Sequence, residues 1–128
     1  MTTHARRYLE LSMDRDPDMR LTAISILRHS VAADAEVIDR VSAVLAADPS
    51  PHLRREAVRY LRENADPGLT LLFVQSLLDT DFIVRGEAFL ALSKIVPDPR
   101  LLPEVRDYMS REEHPFGKSC IEDVFRRE

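Results

Sequence analysis

A chain of 128 residues, 45% of them hydrophobic and only three of them glycine, is long enough to bury a core and excludes a disordered or collagen-like polymer. The charged fraction of 31% balances to a net −4, which describes a soluble surface rather than a polyelectrolyte. A single cysteine, Cys120, excludes an internal disulfide, and no apolar run approaches a signal peptide or the roughly 18 residues of a membrane span, so a cytosolic soluble protein is expected.

Nearly every segment reads as helix. The first predicted helix lies around Thr3 to Ser12. Asp16-Pro17 then places a capping residue before a proline of the kind tolerated in a first helical turn. Met19, Ala23, Ile24 and Leu27 follow at i, i+4, i+5 and i+8, one face of a helix. Asp34 reads as the cap of a helix over Ala35 to Ala47, and Ser50-Pro51 opens another whose apolar face is Leu53, Ala57, Val58 and Leu61. Asp66-Pro67 precedes GLTLLFVQSLL, Gly68 to Leu78, expected as a helix of about three turns. Val84, Ala88, Phe89 and Leu92 repeat the earlier face, Asp98-Pro99 introduces RLLPEVRDYM, and Phe116, Cys120, Ile121, Val124 and Phe125 form the last apolar stripe. No segment alternates with the period of two that a half-buried strand requires.

Three of these segments are copies of one another. Asp14, Asp48 and Asp79 align; six residues later so do Arg20, Arg54 and Arg85, then Ala23, Ala57 and Ala88, then Leu27, Leu61 and Leu92. Lys118 falls in the arginine column of a worn fourth copy, with Glu112 in the aspartate column. The repeat period is 34 residues, then 31, and self-similarity at such a period is the mark of stacked helical hairpins. The hairpins parse as residues 2–31, 32–64, 65–95 and 96–128 of one domain, with eight helices in all.

The segments Leu53-Arg54-Arg55-Glu56-Ala57, Val84-Arg85-Gly86-Glu87-Ala88 and Met19-Arg20-Leu21-Thr22-Ala23, each after an aspartate- and proline-rich turn, resemble the HEAT repeat and its Val-Arg-x-x-Ala helix opening. The resemblance extends along the whole chain and implies an all-α right-handed superhelix, an ARM-like solenoid. It further implies that Asp14, Arg20, Asp48, Arg54, Asp79 and Arg85 are structural, the turn aspartate and helix arginine forming a ladder between successive repeats. It also implies a concave surface lined by the second helix of each hairpin.

No enzyme constellation, and so no catalytic residue, is found. His4, His29, His52 and His114 fall at no metal-ligand spacing, there is no glycine-rich phosphate loop, and neither metal nor cofactor is expected. Glu112-Glu113-His114 is the one cluster with ligand chemistry, and adjacent turn residues seldom converge on one ion. Cys120, on an apolar helix face, reads as a small core residue.

Charge is more informative. The second helices of the hairpins are net basic while the rest of the chain is acidic. Arg55, Arg59 and Arg62 share one stripe at i, i+4 and i+7, with Arg28 and Lys94 in nearby columns of the flanking repeats. A protein-interaction scaffold that binds an acidic partner segment on these five residues is the expected function. The rivals are contact with a nucleic-acid backbone through the same arginines, and an accessory subunit of a lyase-type complex, since similar short HEAT repeats occur in phycobilin lyases. Leu71, Val74 and Leu78 lie together on one side of their helix, either as part of a broad core arc or as an exposed patch that binds protein or forms a homodimer.

Overall fold

The computed structural model describes residues 2–30 and 34–126. The hairpin boundary expected at 31–32 and the chain end at 127–128 fall outside them. Among the described residues the chain is all-α, with eight α-helices and no strand. These are α1 (Thr3–Leu11), α2 (Pro17–Ser30), α3 (Ala35–Ala47), α4 (Pro51–Glu63), α5 (Thr70–Ser76), α6 (Phe82–Ile95), α7 (Pro103–Arg111) and α8 (Pro115–Phe125). They pack as two compact units, one up to Leu61 and one from Arg62 onward.

Side-chain caps satisfy the first amides of most of these helices. Thr2 accepts from Ala5 N–H at 3.1 Å, Asp34 from Val37 N–H at 3.0 Å, and Asp81 from Ile83 and Val84 N–H. Asp66 and Asp98 are caps of a different kind from the one expected. Each caps a single 3-10 turn, Pro67–Leu69 or Pro99–Leu101, and the α-helix begins only beyond it. Leu102 precedes Pro103, whose ring disfavours the helical region for its neighbour, and Leu102 is accordingly extended at ψ 121°. The helix expected over Gly68 to Leu78 is therefore shorter, a 3-10 turn followed by the two turns of Thr70–Ser76.

The alanines of the repeated column are fully buried: Ala23, Ala57 and Ala88 are all at 0% exposure. Leu27, Leu61 and Leu92 are equally buried one turn on. Ala57→Leu should overpack this layer and cost about 1–3 kcal/mol, read as a lowered melting temperature with the helical circular dichroism retained. An unchanged melting temperature would contradict the packing.

Within the first unit Arg40 ties α3 to the end of α1, donating to the Ser12 hydroxyl at 3.1 Å and the Ser12 carbonyl at 2.8 Å. Within the second, α6 and α8 pack at glycine distance, and Phe89, Tyr108 and Phe125 form an aromatic cluster with ring centroids 5.8 and 6.3 Å apart. Arg100 lies 4.6 Å above the centre of the Phe125 ring and covers it.

Candidate functional site: ladders, inner-helix charges and clefts

The aligned acids do the same two things in successive turns. Asp14, Asp48 and Asp79 each accept the N–H of the residue two positions on, at 2.9, 2.9 and 2.8 Å. The arginine six residues later donates back to the backbone carbonyl of the acid, at 3.0, 2.9 and 3.0 Å for Arg20, Arg54 and Arg85. In Arg20 and Arg85 the rest of the guanidinium reaches forward. Arg20 forms a two-pronged pair with Asp48 of the next repeat at 3.0 and 3.2 Å. Such paired, charge-assisted contacts suit the planar fork of arginine.

Arg85 makes the same pair with Glu112, at 2.9 and 3.1 Å. Glu112 also accepts the His114 N–H at 3.0 Å, so it stands in the fourth repeat where aspartate stands in the others. Its side chain is 1% exposed. Hydrogen bonding from Arg85, against the opposing effect of burial, holds its carboxyl down at about 2. Burial, then the nearby Glu112 carboxylate, push the Tyr108 phenol up. His114 caps α8 by accepting the Phe116 N–H on Nδ1 at 3.1 Å, which places its ring proton on Nε2, and it stacks on Phe82 at 3.6 Å. Glu112 and His114 thus have structural duties, and no group of three or more metal-binding side chains converges among the described residues. Cys120 is buried, and burial raises its thiol to about 11, which makes it a poor nucleophile.

A second ladder, missed in the sequence, joins residues of α2, α4 and α6. Arg28 pairs with Glu56 at 3.1 Å and Arg62 with Glu87 at 2.7 Å. Each arginine lies eight residues after its repeat's first-ladder arginine, and each glutamate two residues after the next repeat's. Both glutamates are largely buried, at 13% and 8% side-chain exposure. The signal was available once the repeats were aligned: Arg28 and Arg62 share a column, as do Glu56 and Glu87.

The five basic residues of the expected partner surface therefore differ in kind. Arg28 and Arg62 belong to ion pairs, while Arg55 and Arg59 on α4 are partly buried with contacts of their own. Lys94 is exposed on α6, and its Nζ lies 3.5 Å from the Arg62 carbonyl with no carboxylate contact among the described residues. A cleft of 390 Å3 in the second unit is lined by Arg62, Leu90, Ser93, Lys94, Asp123 and Val124. On α5 and just beyond it, Leu71 and Leu78 are each 68% exposed and Val74 is half-buried. No described helix is long and apolar enough to cross a membrane.

A search of curated proteins finds no match to this chain. A family model described as HEAT repeats matches residues 38–121, a span that contains α4, α5, α6 and α7 together with the turn acids Asp48, Asp79 and Glu112. With eight helices among the described residues, turn acids answering helix arginines one repeat away, and that match over most of its length, the chain belongs to the HEAT-repeat family.

Proposed function

We propose that the chain is a non-catalytic scaffold whose inner helices bind an acidic segment of a protein partner. HEAT repeats generally mediate protein–protein interaction and are typically non-catalytic. The observation that carries the acidic partner is Lys94, an exposed ammonium on α6 with no carboxylate contact among the described residues. In the first unit Arg55 and Arg59 carry the reading on α4. Arg28 and Arg62 take part as ion pairs, since a guanidinium has five N–H donors and one glutamate does not exhaust them.

Arg55→Glu, Arg59→Glu and Lys94→Glu together should leave the helical spectrum intact and reduce capture of an acidic partner by about tenfold or more. Capture unaffected by the triple reversal would reject the reading and move the site to Leu71, Val74 and Leu78. Retention of the wild type on DNA but on no acidic protein would favour nucleic-acid binding instead. That outcome runs against the net charge of −4.

A further inference from the structure

The cleft of 390 Å3 in the second unit is polar in a directed way. Its cations come from the end of α4 and from α6. Arg62 occupies the last turn of α4, and the Lys94 ammonium sits 3.5 Å from the Arg62 carbonyl, at a helix C-terminus that favours positive charge. Its anion, Asp123, comes from α8, is 61% exposed, and meets Arg126 only at 3.9 Å. Leu90 and Val124 supply the apolar lining, and the Ser93 hydroxyl donates to the Leu90 carbonyl at 2.7 Å. Lys94 and Asp123 make no ion pair with each other, and among the described residues neither is taken up by a close opposite charge. The volume is at the small end of the range for ligand clefts.

We infer that this cleft receives a short peptide stretch in which an acidic and a basic residue flank a small aliphatic one, the acid against Lys94 and Arg62, the base against Asp123. The inference rests on the acidic-segment reading above and sharpens it, because Asp123 repels a purely anionic ligand. A uniformly acidic peptide or a phosphate backbone places negative charge on both sides of the cleft, and an opposed charge is an effective means of rejection.

The full chain, labelled with 15N, is titrated with capped Gly-Glu-Val-Lys-Gly, Gly-Glu-Val-Glu-Gly and Gly-Gln-Val-Gln-Gly peptides. The first should give saturable shifts at the Leu90, Ser93, Lys94, Asp123 and Val124 amides, with about two- to fivefold tighter binding than either control, the value of one exposed ion pair. Lys94→Glu should abolish these shifts, and Asp123→Asn should remove the preference for the lysine-bearing peptide. Both positions are exposed, and retained circular dichroism verifies the fold of each variant. Absence of saturable shifts at these amides, or shifts indifferent to Lys94→Glu, overturns the inference. If the diglutamate peptide moves the Arg55 and Arg59 amides while the cleft amides stay still, the acidic-segment reading stands and the cleft assignment falls. If no peptide moves either set, both fall.

Discussion

Replacing Arg85 with alanine should lower the melting temperature by roughly 10 °C, the effect of a loss of about 3 kcal/mol in a domain of this size. The loss comes from what remains rather than from what is removed. The Glu112 side chain is 1% exposed and takes two of its hydrogen bonds from Arg85, so the truncation strands a buried carboxylate. Arg85 also donates to the Asp79 and Thr80 carbonyls, at 3.0 and 3.2 Å, which lose their donor in the same step. The pair has a pH signature as well. The carboxyl falls from 4.5 when free to about 2 in the fold, so its contribution is complete above the higher value and is lost on acidification through the lower one. That contribution is on the order of 3 kcal/mol. Glu112→Gln should weaken the protein at neutral pH and flatten its stability profile across that acid window. Parallel acid unfolding of Glu112→Gln and wild type, or an Arg85→Ala protein that melts with the wild type, would remove the pair from the stabilising interactions.

The part of this architecture legible in the sequence is the part that repeats without change. Asp14, Asp48 and Asp79 with Arg20, Arg54 and Arg85 are copies at fixed spacing, and the all-α class follows from the apolar faces beside them. The fourth copy hides its function because Glu112 is one methylene longer than aspartate and Lys118 replaces the arginine. Alignment puts Glu112 in the aspartate column, but that it closes the ladder is visible only once Arg85 is seen to reach it. The second ladder, of Arg28 with Glu56 and Arg62 with Glu87, is obscured for another reason. A basic stripe on a helix reads as a surface for an acidic partner, and the glutamate that answers it lies on the following repeat, 28 or 25 residues away. Helix starts at Asp66 and Asp98 were misjudged because aspartate-proline signals a cap equally well for a 3-10 turn and for an α-helix. Leu71 and Leu78 were ambiguous because periodicity places residues on a face without saying whether that face is covered.

Gly117→Ala should destabilise the protein by about 2 kcal/mol, although alanine is the better helix former by about 1 kcal/mol. Gly117 lies in the first turn of α8 with an ordinary helical backbone, so the glycine answers a close approach and not an unusual φ. A Cβ there would stand 2.5 and 2.6 Å from Cγ and Cδ of Glu112 and 2.8 Å from the Tyr108 hydroxyl. Glu112 has little freedom to yield, being fixed by Arg85 and by the His114 N–H. The new methyl group must therefore push either α8 away from its neighbours or the carboxylate away from Arg85. Gly86→Ala offers the contrast. Its Cβ would meet the half-buried Phe116 ring at 2.6 and 2.9 Å and Cys120 Sγ at 3.2 Å, and a ring that is not pinned by hydrogen bonds can turn aside. Its cost should be the smaller of the two. A double-mutant cycle isolates the cause: in a Glu112→Ala background the principal obstacle is gone, and Gly117→Ala should become nearly neutral in chemical unfolding. Costs that simply add, within about 0.5 kcal/mol, would mean that Gly117 and Glu112 act independently and that the glycine is required for some other contact.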